Sequence, residues 1–202
     1  MSQIWHKLQI KPKGRVFLEL FYVTSNSAKF EIATRVLEGT NVHLQQSKID
    51  VPEIQSMEVS DVAHFSSMWA RDNLGCSVVI TDVGLYINAL NGFPGPFVKY
   101  ANSWLTTEDV LRLLEGKKDR TVFIKECLAF CPVDSKPLLF HRQIKGMITR
   151  EKTSGKGSLM DRLVVPENHI LLSELSNDEF IDFWVKYSAF HLFKDWILSN
   201  QN

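Results

Sequence analysis

Residues 76–102, CSVVITDVGLYINALNGFPGPFVKYAN, constrain the fold more than any other stretch. Val78, Val79 and Ile80 form a short β-branched run that suits a strand buried on both faces of a sheet. The strand is predicted to end at Asp82, with a turn at Gly84 and a loop shaped by Gly92, Pro94, Gly95 and Pro96 that delivers Lys99. A carboxylate at the exit of a buried strand, ahead of such a loop, is where an open α/β sheet places ligand chemistry.

Residues 15–23 are rich in Val, Phe, Leu and Tyr and predict another strand. Thr24-Ser25-Asn26-Ser27-Ala28-Lys29 follows, then a helical pattern over residues 30–37. A strand, a polar turn and a helix with a lysine in its first turn suit an anion, because free backbone N–H groups point at it and the lysine adds charge. The same residues also read as a plain capped helix with an exposed lysine.

Residues 42–49 alternate enough for a further strand, leading into Asp50-Val51-Pro52-Glu53-Ile54-Gln55. Residues 57–73 predict a helix with an apolar stripe that includes Val59, Val62, Ala63 and Trp69. Thr107-Glu108-Asp109-Val110 opens another, stopped by Gly116. Residues 122–130 and 138–148, joined by a Pro/Asp/Ser turn, read as a long hairpin. Ser154-Gly155-Lys156-Gly157-Ser158 is not a P-loop, since glycine follows the lysine and the upstream glycine is missing at the required spacing. Residues 176–202 predict one closing helix with too many apolar positions for a narrow stripe, so it is deeply packed or sits at an interface.

TDVGLYINALNGFPGPFVKY resembles the signature of the inosine triphosphate pyrophosphatase family, enzymes that hydrolyse non-canonical purine nucleoside triphosphates. Asp82, Gly84, Leu85, Ala89, Leu90, Gly92, Pro94, Gly95 and Lys99 match its pattern, while Thr81 and Val83 do not. Thr24-x-Asn26-x-x-Lys29 resembles the family's opening motif, Pro52-Glu53-Ile54-Gln55 its Pro-Glu-x-Gln segment, and Ser173-Glu174-Leu175 its Ala-Glu-Met. These segments stand in the family's order, which favours phosphate binding over the plain capped helix at residues 24–29. The resemblance covers roughly residues 15–198.

The resemblance implies an α/β fold, a curved mixed central β-sheet flanked by helices, with two lobes around a cleft. One domain would span residues 15–202 after an N-terminal extension, 1–14. Thr24, Asn26, Lys29 and Lys99 would bind the triphosphate, Glu53 and Asp82 would hold magnesium, with manganese as a substitute, and Asp82 or Asp161 would orient or deprotonate the attacking water. Two carboxylates plus substrate phosphates are sufficient in type, since magnesium takes hard oxygen ligands.

Other family features are missing. Thr81 replaces an acid, no lysine stands around Phe65 or Ser66, and Ser158-Leu159-Met160-Asp161-Arg162 keeps only the aspartate of the family's aromatic base pocket. The family's Ser-His-Arg, which reads the purine's six-keto group and the phosphates, falls by a gapless count from Glu174 on Trp184-Val185-Lys186. Lys186 retains the charge as a substrate-binding candidate, although lysine is not equivalent to arginine. The implied function is a metal-dependent pyrophosphohydrolase with altered base recognition. The alternative is a catalytically silent relative acting as a nucleotide-binding or interaction subunit, with Trp184 filling the place of the purine.

Composition narrows the partners. The 202 residues, 45% hydrophobic, supply one sizeable core. Lysine plus arginine and aspartate plus glutamate number 23 each, so no global field recruits nucleic acid or an anionic membrane. Residues 16–23 are too few to span a bilayer and contain Glu19, and the first fifteen lack the pattern of a secretory signal. Three cysteines without a C-x-x-C pair argue against a disulfide scaffold or a zinc site and for a reducing, cytoplasmic compartment. The expected partners are a nucleoside triphosphate and, by the resemblance, a second copy in a homodimer.

Overall fold

The computed structural model describes residues 18–151, 153, 155 and 157–200. The predicted extension and the start of the first predicted strand lie outside the described residues. Strand β1 (Leu18–Val23) pairs in parallel with β2 (Val42–Ser47) and with the start of β3 (Val78–Ile87), and helix α1 (Ser27–Leu37) connects β1 to β2. The remaining pairs are antiparallel: β3 with β5 (Thr121–Cys131), β5 with β6 (Leu138–Ile148), and β6 with β7 (Val164–Pro166). The short β4 (Pro94–Gly95) folds back on β3. The product is a mixed seven-stranded sheet in the order β2-β1-β3-β5-β6-β7, with β4 off that path.

Alternation along the strands sorts their side chains between two faces. Helix α2 (Val59–Leu74) covers one face, bringing Val59, Ala63 and Ala70 against Val78, Ile80, Tyr86, Cys127, Ala129 and Cys131. The other face carries two separate cores. In one, Leu20, Tyr22, Val79, Leu128 and Phe130 pack with α1 and with α7 (Phe190–Ser199). Phe190 and Phe193 are almost wholly buried there, and burying each such side chain is worth about 1.5–3 kcal/mol. In the other, Leu85, Ile87, Val122 and Ile124 pack with α3 (Val98–Trp104), α4 (Thr107–Leu113), α5 (Leu159–Leu163) and α6 (Asn177–Tyr187). These cores are the two lobes. Val83 and Glu126, opposite each other in the β3–β5 ladder, lie on the same face between them.

Two sequence expectations are corrected. Strand β3 does not end at Asp82 but continues to Ile87, so Gly84 lies within the strand. A Cβ at Gly84 would stand 2.7 Å from Tyr86 Cε2 and 2.9 Å from Val59 Cγ1. The missing side chain leaves room for the Tyr86 ring, whose hydroxyl accepts a bond from the Val59 N–H and donates to the Met57 carbonyl at the start of α2. The chain turns later, at Asn91 and Gly92, where φ is 53° and 88°.

The closing helix is two helices. Ser188 takes up an extended conformation, φ −66° and ψ 143°, after α6. The Ala189 N–H then donates to Glu126 Oε2 at 2.7 Å, in place of a carbonyl one helical turn back.

Candidate active site

The anion-binding end is built by the exit from β1. Thr24 Oγ1 accepts from the Asn26 N–H at 3.1 Å, and Asn26 Oδ1 caps α1 by accepting from the Lys29 N–H, also at 3.1 Å. Among the described residues the first turn of α1 thus presents unpaired N–H groups and the Lys29 ammonium together, and the turn itself contains no acidic residue.

Strand β3 passes this helix end with one edge partly uncovered. It pairs with β1 through Val78 and Val79 and with β4 through Leu85 and Tyr86. Among the described residues, positions 80–84 therefore have a strand neighbour on the β5 side alone. Thr81 and Asp82 occupy this notch on opposite faces. Thr81 Oγ1 is 2.6 Å from the Tyr22 hydroxyl. Asp82 keeps Oδ2 buried with no hydrogen-bond partner among the described residues. Burial pushes its carboxyl up to about 6; Lys29 and the Val83 N–H pull it down, and nearby Glu53 pushes it further up.

Glu53 stands in the exposed segment ahead of α2, where Lys99 Nζ donates to its Oε1 at 2.6 Å and the Tyr100 hydroxyl to its Oε2 at 3.2 Å. Among the described residues no three His, Cys, Asp or Glu side chains form a ready metal cage. The orphaned Asp82 oxygen and Glu53 are hard donors, and this pair fits a cation that completes its shell with water and phosphate oxygens.

Beyond Lys29 a cavity of about 250 Å³ opens between the two lobes. Tyr22, Val83 and Glu126 line it from the sheet, and Asn26, Lys29 and Ile32 from α1. Met160, Asp161, Phe180 and Trp184 close it from α5 and α6, with Ser188 and Phe190 at the break before α7. Asp161 closes a capping box, its Oδ2 accepting from both the N–H and the Oγ of Ser158 at 2.8 Å, while its Oδ1 is buried without a partner among the described residues. Trp184 forms part of the wall and does not fill the space.

Of the candidate residues, the structure brings Asn26, Lys29 and Asp161 to this cavity and sets Asp82 within electrostatic reach of Lys29 and Glu53. Thr24 supports the turn, and Lys99 is paired with Glu53. Lys186 is exposed at the end of α6, its Nζ 5.2 Å from the Tyr187 ring centre, and is not part of the cavity wall. The helix break instead turns Ser188 toward the cavity.

Glu126 escaped the sequence reading. Burial raises its carboxyl above the usual range, against the pull of the Ala189 N–H, Lys29 and Arg142. A signal existed: Val122, Ile124, Glu126, Leu128 and Phe130 share one face of β5, and a single acid interrupts an otherwise apolar set.

Comparisons with known proteins agree with this architecture. The chain is 28% identical over 184 residues to the dITP/XTP pyrophosphatase of Methanopyrus kandleri, covering 91% of this chain and 98% of that protein. It is 31% identical over 161 residues to the dITP/XTP pyrophosphatase of Methanosarcina mazei, covering 80% of this chain and 87% of the relative. A HAM1 protein from Coxiella burnetii superposes with a TM-score of 0.76 over 90% of this chain and 98% of its own, at 23% identity, sharing the fold. The sequence profile of the Ham1 family matches residues 20–196, and the chain belongs to that family.

Proposed function

We propose that this chain hydrolyses non-canonical purine nucleoside triphosphates to the monophosphate and pyrophosphate, with magnesium, or manganese in its place, as the cofactor. The observation that carries the reading is the continuity of the α1 N-terminus and Lys29 with an aromatic-walled cavity on one side and the buried Asp82 carboxylate on the other. That continuity matches a triphosphate joined to a flat base. The relatives named as dITP/XTP pyrophosphatases support the same substrate class.

Asn26 and Lys29 hold phosphate oxygens at the helix end, and Lys99 adds charge once it releases Glu53. Asp82 receives a proton from the water that attacks the α-phosphorus. With no cation bound, burial lifts its carboxyl to about 6, and a cation held beside it would favour the ionised form that accepts the proton. Glu53 and Asp82 would hold the divalent cation, which when bound offsets phosphate charge. Asp161 fixes the start of α5 against the cavity, with one oxygen left over to face substrate or water.

A silent relative would have Trp184 in the purine's place; the open cavity beside Trp184 disfavours that alternative. The exposed Phe93, Tyr100 and Trp104, the last 76% exposed, support homodimerisation through this side of the molecule. Among the described residues no helix is long and apolar enough to cross a membrane, and the three free cysteines suit a cytoplasmic setting.

The test is pyrophosphate release from inosine, xanthosine and common nucleoside triphosphates with magnesium or manganese. Turnover that Asp82→Asn abolishes without unfolding the protein is the expected result. Unchanged turnover in Asp82→Asn would remove the site assignment, and no turnover with any substrate would remove the hydrolase reading.

A further inference from the structure

Glu126 is a carboxylate placed in the wall of a cavity otherwise dominated by Tyr22, Val83, Phe180 and Trp184. Its Oε2 is fixed by the Ala189 N–H at 2.7 Å. Lys29 on α1 and Arg142, its register partner on β6, act on it electrostatically, yet among the described residues neither forms an ion pair with it. Tyr22 on β1 lies close enough to feel its charge, and Asp161 on α5 lines the same cavity. A carboxylate in such surroundings is costly unless donors satisfy it, and one backbone N–H leaves most of its acceptor capacity unused.

We infer that Glu126 determines base specificity by accepting the ring N1–H of a purine held in this cavity. This rests on the hydrolase reading and narrows its substrate class. In its ionised form the carboxylate offers acceptors only. Hypoxanthine presents a neutral N1–H and satisfies it, whereas adenine offers a lone pair at that position. Xanthine loses a ring proton near neutral pH, so its base is an anion that a buried carboxylate repels. Guanine, with N1–H beside an amino group, is admitted by the same contact. The pocket therefore sorts non-canonical purines by charge as well as shape, preferring inosine over xanthosine triphosphate.

The experiment compares kcat/KM for inosine and xanthosine triphosphates at neutral and mildly acidic pH, in the wild-type chain and in Glu126→Gln. Glutamine keeps an acceptor for the Ala189 N–H and removes the charge. The wild-type preference for inosine is expected to be about tenfold or more near neutral pH, where hypoxanthine keeps its N1–H and xanthine is an anion. It should shrink in acid, as xanthine becomes neutral, and shrink in Glu126→Gln at neutral pH. A wild-type ratio that ignores pH overturns the inference, even if the variant fails to fold; so does an unchanged ratio in a folded variant. Calorimetric binding of inosine and xanthosine monophosphates separates the two readings. Selective binding without turnover overturns the hydrolase reading alone, and turnover without selectivity overturns the role of Glu126 alone.

Discussion

Lys99 and Glu53, 46 positions apart, are joined by a 2.6 Å hydrogen bond. The proposed phosphate ligand thus neutralises the proposed cation ligand until substrate and metal arrive together. Both side chains are substantially exposed, so the pair adds little to folding. Glu53→Gln and Lys99→Met should each change stability by less than about 1 kcal/mol. Each should lower kcat/KM about ten- to a hundredfold, the worth of one charge-assisted contact. Magnesium titrations distinguish them: Glu53→Gln should weaken the apparent magnesium affinity and Lys99→Met should not.

Asp82 links pH to both stability and rate. Its carboxyl sits at about 6 in the folded protein against an ordinary 3.8. Between those values the folded chain retains a proton that the unfolded chain has released, so stability falls as pH rises through the window. The full cost, roughly 3 kcal/mol, applies above it. Asp82→Asn should raise Tm by about 5 °C or more at pH above that window, with the gain disappearing in acid. The kcat/KM of the wild-type chain should decline in acid as Asp82 takes up its proton, at a pH that a bound divalent cation moves below the metal-free value of about 6. Thermal melts and a pH–rate profile check the two halves.

Gly84→Ala tests the continuous β3. The added methyl would meet Tyr86 Cε2 at 2.7 Å and Val59 Cγ1 at 2.9 Å, so the Tyr86 ring or α2 must shift. A loss of about 1–3 kcal/mol is expected by denaturant unfolding. Were Gly84 in a flexible turn instead, the same change would cost almost nothing.

Trp184→Ala should raise KM for nucleoside triphosphates about tenfold or more, the worth of stacking a base on an aromatic ring. Inhibition by inorganic tripolyphosphate, which has no base, should keep its strength. A parallel loss of both would place Trp184 in a structural role.

The capped turn ahead of α1 and the β5–β6 hairpin are legible because their determinants are local: Asn26 caps its own helix, and residues 132–137 supply their own turn. Asp82 stands out in the sequence as an acid after a buried apolar run, but its place within a longer strand does not. The fit of Tyr86 against Val59 that explains Gly84 joins residues far apart in sequence. The break between α6 and α7 was hidden for the same reason, since Glu126 captures the Ala189 amide from 63 positions away. A gapless count through that break led to Lys186, while the backbone turned Ser188 toward the cavity.

Asp82 and Val83 are consecutive, and the pleat sends them to opposite sides of β3; Val83 shares its side with Glu126. One strand is therefore a partition, with the proposed hydrolytic carboxylate behind it and the proposed base-reading cavity in front. Lys29, at the open edge, is the charge that acts on both Asp82 and Glu126. Replacements at position 126 or along the cavity-facing side of α6 can accumulate without disturbing the packing around Asp82. A lineage carrying this sheet can change the base it recognises and keep its phosphate chemistry.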